Sequence, residues 1–61
     1  MMTRTQPIVL VGGRQDGEVI RLRGDALPPK ICIPVGDATL VYVVTDTRDL
    51  YGSTRYVLAA D

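Results

Sequence analysis

The chain has no histidine, no tryptophan, no phenylalanine and a single cysteine, Cys32. These absences remove several chemistries at once. One cysteine leaves nothing for an intramolecular disulfide. Without histidine, neither a Cys/His zinc site nor a histidine-based triad assembles within one chain. Ser53 therefore has no base to activate it. Cys32 lies between Ile31 and Ile33 with no obvious cationic partner, so it reads as a small core or partly covered hydrophobe rather than as a reactive thiolate. Net charge is absent as well. Seven basic and seven acidic residues cancel, and they are dispersed along the chain, which argues against a protein held to nucleic acid by phosphate neutralisation. No apolar run approaches the roughly 18–20 residues of a membrane span. The segment from Met1 to Pro7 lacks the charged, apolar and small-residue regions of a secretory leader. The expectation is a protein of the cytoplasm with no membrane partner, and the unpaired cysteine agrees with it.

A length of 61 residues holds one domain, residues 1–61. A core of that size supplies only about 3–5 kcal/mol of net stability, so chains this short usually add a disulfide, a metal or a partner subunit. With the first two excluded, self-association through a strand edge or an apolar patch remains, and a homodimer is the corresponding expectation.

What is present is β-branched and punctuated by glycine and proline. Ile8 to Val11 is an apolar run that reads as a buried strand, with Pro7 at its start and Gly12-Gly13 stopping it. Glu18 to Arg23 alternates Ile20 and Leu22 with Arg21 and Arg23, a period of two with one wet face. Gly24 to Pro29 is a loop, because neither Pro28 nor Pro29 offers an N–H. Lys30 to Pro34 alternates again, and Pro34 is tolerated at an edge or a strand end. Thr39 to Thr45 has little contrast between its faces and predicts a central strand covered on both sides. Asp46 to Ser53 reverses the chain, with room for one helical turn from Thr47 to Leu50, and Thr54 to Ala60 is the last strand. No stretch shows a 3.6-residue apolar period. The fold class expected is all-β, with about five short antiparallel strands in a curled meander, a small open barrel or a two-sheet sandwich.

The run Gly12-Gly13-Arg14-Gln15-Asp16-Gly17 has the glycine spacing of a phosphate loop but not its chemistry. Glu18 and Val19 stand where lysine and a hydroxyl residue would reach phosphate and magnesium. Arg14 takes the middle glycine of a dinucleotide fingerprint, and no helix follows. The run reads as a turn, with Asp16 bonding local backbone and Gly17 at positive φ. Asp46 and Asp49 lack the alternating oxygen donors of a calcium loop, since Arg48 and Leu50 fill those places. Tyr42 and Tyr56 read as cross-strand packing residues, and Tyr51 with Leu50 as an exposed loop tip. No catalytic, cofactor-binding or metal-binding residue is expected. Candidates for partner contact are Arg14 and Gln15 on the first turn and Arg48, Asp49, Leu50 and Tyr51 on the last loop, because exposed loops on a rigid sheet carry recognition.

Three stretches together carry a likeness: Val11 to Val19 with its Gly-Gly-x-x-Asp-Gly core, Ile31-Cys32-Ile33-Pro34, and Gly52 to Leu58. They resemble small proteins of phages and prophages in high-GC bacteria. Members commonly have proline after the paired glycines, where this chain has Arg14. The resemblance implies a mobile genetic element and a very small non-catalytic protein acting by protein–protein contact. Such a protein binds and disables a host factor in the host cytoplasm, for instance a defence complex such as CRISPR machinery. Alternatively it joins the virion as a decoration or head- or tail-associated component. A single-stranded nucleic-acid binder, using the tyrosines with Arg21 and Arg23, ranks behind both.

Overall fold

The computed structural model describes residues 4–60, without the side chain of Ala60. The reading of Met1 to Pro7 as no leader falls partly on residues outside that range. Five strands form: β1 (Thr5–Val11), β2 (Val19–Arg23), β3 (Lys30–Val35), β4 (Ala38–Arg48) and β5 (Thr54–Ala60). There is no helix among the described residues, so none there is long and apolar enough to cross a membrane, and Thr47 to Leu50 forms no helical turn.

The strands make one sheet in the order β2-β1-β5-β4-β3, curled into a half-barrel. It is the cyclic order of a meander barrel opened along the seam between β2 and β3. The Gly24–Pro29 segment joins those two strands and crosses the end of the barrel instead of turning tightly. The two-sheet sandwich is not adopted. Nor are all pairs antiparallel: β1 and β5 run parallel, with Ile8 opposite Thr54 and Val11 opposite Val57. An up-and-down chain of five strands sends its first and last strands the same way, so curling them together dictates a parallel pair.

Local chemistry explains the punctuation. Pro7 lies inside β1 rather than at its start. Leu10 bonds through its N–H to Glu18 O at 2.9 Å and through its carbonyl to Gly17 N at 2.7 Å, and the carbonyl of Arg4 accepts from Gly24 N at 2.9 Å. Even-numbered residues of β1 thus face β2. Pro7 turns its nitrogen to the other side, where pairing with β5 begins only at Ile8, so no ladder bond is lost. On β3, Val44 N donates to Pro29 O at 3.0 Å, which makes the odd-numbered positions the bonded ones and points the nitrogen of Pro34 to the free edge. Gly36 (φ +61°), followed by Asp37 at ordinary negative φ, closes β3 on β4 in a two-residue type II′ turn.

Alternation sorts the side chains to two faces. Ile8, Leu10, Leu40, Tyr42 and Tyr56 are buried on the concave face, and Ile20, Leu22, Leu27, Ile31, Ile33, Val35, Val44 and Leu58 pack against them. Among the described residues nothing forms a second layer on the convex face. Val9, Val11, Val41, Val43 and Val57 occupy it on β1, β4 and β5. β4 is therefore interior to the sheet but covered on one side only, because Val43 is 40% exposed while Tyr42 beside it is fully buried. Cys32 is exposed rather than part of the core: Ile31 and Ile33 take the concave side and place it on the convex one.

The first turn presses on the sheet it leaves. Gly13 has φ +73°, and a Cβ there would lie 2.9 Å from Leu58 Cδ2 and 3.2 Å from the Tyr42 hydroxyl oxygen, whereas Gly17, at φ +88°, has open space around it. Gly13→Ala is expected to cost about 2–3 kcal/mol and Gly17→Ala, strained in the backbone alone, about 1 kcal/mol. Urea denaturation compares them, and equal losses would show that the loop does not bear on Leu58 and Tyr42.

Candidate functional site

Register places the six candidate residues at opposite ends of the sheet. The first turn and the Gly36-Asp37 turn sit at the end where β1 and β5 finish, and the last loop and the Gly24–Pro29 crossing sit at the end where β5 begins. Arg14 and Gln15 therefore do not join Arg48, Asp49, Leu50 and Tyr51 in one site.

Four N–H groups of the first turn are already bonded within it or to β1. Gly12 N donates to the Asp16 carboxylate at 2.6 Å. Asp16 N reaches Gly13 O at 3.3 Å, Gly17 N reaches Leu10 O, and Glu18 N reaches Gln15 O at 3.0 Å. A phosphate cradle needs N–H groups free and convergent, and here the Asp16 carboxylate and backbone carbonyls take these four. Gln15 is half-buried, because the turn folds over the sheet, so Arg14 is the more exposed of the two tip residues. Beside it a cleft of about 430 Å³ opens between the turn and the β3–β4 hairpin, lined by Gly13, Arg14, Val35, Ala38, Leu40 and Leu58. Arg14 is the one titratable group in that lining, and the rest is apolar side chain and glycine backbone.

The opposite loop is built tightly around Asp49. Its carboxylate accepts from Tyr51 N at 2.9 Å and Ser53 N at 2.8 Å. Its N–H donates to Ser53 O at 3.0 Å, and its carbonyl accepts from Gly52 N at 3.2 Å. Gly52 follows at φ +84°. This is a type I turn with a glycine at its exit, a geometry that prefers Asp first and Gly fourth and accepts almost any residue between. The two central positions hold Leu50, 97% exposed, and Tyr51, 89% exposed. Nothing in the turn requires apolar residues there. The half-buried Asp49 is the clamp of the loop, and Arg48 is the exposed last residue of β4, paired with Thr54, rather than a loop residue. Asp46 and Thr47 likewise belong to β4, which is irregular between Val44 and Arg48. There the Thr45 hydroxyl donates to Arg55 O at 2.8 Å and accepts from Thr47 N at 3.2 Å.

The two buried tyrosines tie both ends to the core. Tyr42 donates its hydroxyl to Gly12 O at 2.8 Å, and Tyr56 donates to Pro28 O at 2.7 Å. Sequence reasoning placed both rings in the packing but missed these bonds, because neither carbonyl is near its tyrosine in the chain. Burial strips water from the Tyr56 phenol and pushes its pKa above 10.0. No family model, curated protein or solved structure matches the chain.

Two outcomes follow. Asp49→Ala removes the acceptor of two backbone bonds and is expected to cost about 1–2 kcal/mol and to speed amide exchange at Tyr51 and Ser53, while that of Leu10 stays unchanged. Because the fold favours the protonated Tyr56, its contribution is complete below pH 10 and lost as pH rises through the raised value. Unfolding free energy measured from pH 9 to 11.5 should fall more steeply in the native chain than in Tyr56→Phe. Parallel curves would contradict the assignment.

Proposed function

We propose that this chain is a non-catalytic protein-contact module, an accessory protein of phage or prophage type that binds a host protein complex in the host cytoplasm and disables it. A defence assembly such as CRISPR machinery is the target class. The observation that carries the contact reading is the Leu50-Tyr51 tip. Two large apolar side chains stand almost wholly in solvent on a turn whose backbone is clamped by four hydrogen bonds. Exposure of both costs hydration free energy and returns nothing to the fold. A rigid aromatic–aliphatic pair, ordered before binding, is the composition of an interface anchor. The mobile-element setting comes from the resemblance of the Gly-Gly-x-x-Asp-Gly hairpin and its companion stretches.

The alternative, a minor virion component, draws on a different feature. The outer edge of β2 presents the backbone groups of Val19, Arg21 and Arg23 with no neighbouring strand, and a capsid or tail strand adds to such an edge.

Affinity capture from host lysate tests the first reading. Leu50→Ser/Tyr51→Ser should lower retention of the captured protein at least tenfold, matching a loss of about 2 kcal/mol for hot-spot residues, with an unchanged thermal midpoint. Undiminished capture would remove the tip from the interface. Abundance of the chain in purified particles, read by mass spectrometry, would replace the inhibitor reading with the virion one.

A further inference from the structure

The convex face of the sheet carries an apolar band with basic residues around it. Its three central strands supply Val9 and Val11 on β1, Val57 on β5, and Val41 and Val43 on β4, with Val11, Val57 and Val43 directly in register. Its edge strands supply the cations: Arg21 and Arg23 on β2, opposite Pro7 and Thr5, and Lys30 on β3, opposite Val43. Arg55 shares the face on β5, opposite Val9. Among the described residues the one ion pair is Arg4–Asp25, at 3.8 Å, so these four cations have no carboxylate within pairing distance there. Asp16, Glu18, Asp25, Asp37 and Asp49 lie in turns and connections, and Asp46 lies within the irregular part of β4. A chain of zero net charge thus gathers four of its bases on one face, and the acids among the described residues lie in turns, connections and the irregular part of β4.

We infer that this face docks an acidic amphipathic helix of a protein partner, its apolar stripe on the valines and its carboxylates toward Arg21 and Arg23 on β2, Lys30 on β3 and Arg55 at the end of the band on β5. The proposal rests on the reading that the chain acts by protein contact, but not on the Leu50-Tyr51 tip. Three strands at spacings of about 4.8 Å make a valine band roughly 10 Å wide, the diameter of one α-helix. A helix laid on a sheet is also the ordinary way to cover a face left bare. Charge decides against a second copy, since two such faces would set like-charged borders against each other. Composition decides against nucleic acid. The face holds no aromatic ring for base stacking, Tyr42 and Tyr56 being buried in the core and Tyr51 standing on the tip, and a phosphate backbone leaves the valines wet.

A naive library of displayed helical peptides selected on the intact chain tests the inference. Enriched peptides should carry an excess of Asp and Glu over Lys and Arg beside apolar residues at i, i+3, i+4 and i+7. The best of them should bind at least tenfold more weakly to Arg21→Glu/Lys30→Glu, which leaves the apolar band intact, and to Val43→Glu/Val57→Glu. It should bind equally to Leu50→Ser/Tyr51→Ser. Enrichment without acidic excess, binding indifferent to both face variants, or no enrichment would overturn the inference. So would a dimer in sedimentation that Val43→Glu/Val57→Glu dissolves, or tighter binding of an oligothymidylate than of any peptide. Loss of peptide binding confined to Leu50→Ser/Tyr51→Ser would move the contact to the tip and leave the protein-contact reading standing. Loss confined to the face variants, with lysate capture indifferent to the tip, would do the reverse.

Discussion

Two tyrosine hydroxyls hold the half-barrel together at its ends. Tyr42 and Tyr56 stand on adjacent strands, both fully buried in the concave core, and each reaches out of it to one backbone carbonyl: Gly12 O on the first turn and Pro28 O on the crossing segment. A phenol needs a partner when buried, and a carbonyl on a connection needs a donor. Each bond meets both needs at once and draws its connection over the core. The glycines of the first turn follow from this constraint. A chain drawn so close to Leu58 and Tyr42 leaves no room for a Cβ at Gly13. The Pro28-Pro29 segment follows as well, because a connection that must cross the barrel end cannot also pair β2 with β3, and the seam stays open.

Much of this was legible in the sequence because it is local. The period of two in Glu18 to Arg23 and Lys30 to Pro34, the Asp16-Gly17 turn and the exposed Leu50-Tyr51 tip all depend on residues a few positions apart. Five features were not legible. The parallel β1–β5 pair depends on closure of the whole chain. The placement of Pro7 depends on where β5 begins. Val41 and Val43 were read as a second buried face, because a run of β-branched residues looks the same whether its outer side meets protein or water. Cys32 reads as a core or partly covered hydrophobe and is exposed, because the Ile-Cys-Ile alternation places it opposite its neighbours. The division of the contact candidates between the two ends of the sheet is a matter of register, and spacing along the chain does not carry it.

The result is a sheet with a sealed side and an open side. Sealing consumes Tyr42, Tyr56, the isoleucines and every leucine but Leu50, and leaves Val9, Val11, Val41, Val43 and Val57 on the solvent side with cations on the flanking strands. A domain of 61 residues has too little apolar material for a second layer. An uncovered apolar face and an uncovered apolar tip therefore coexist with a core that is complete without them. Surfaces the fold does not use are where partners act, and this asymmetry is what makes protein contact the reading the molecule supports best.

The asymmetry itself can be measured directly. Methyl relaxation caused by a soluble paramagnetic probe reports solvent contact residue by residue in the free protein. The account predicts strong broadening of the Val43 and Val57 methyls, intermediate broadening of Val9, Val11 and Val41, and protection of Ile8, Leu10 and Leu40. Equal protection of both sets would mean that a second layer or a second copy covers the convex face, and would contradict it.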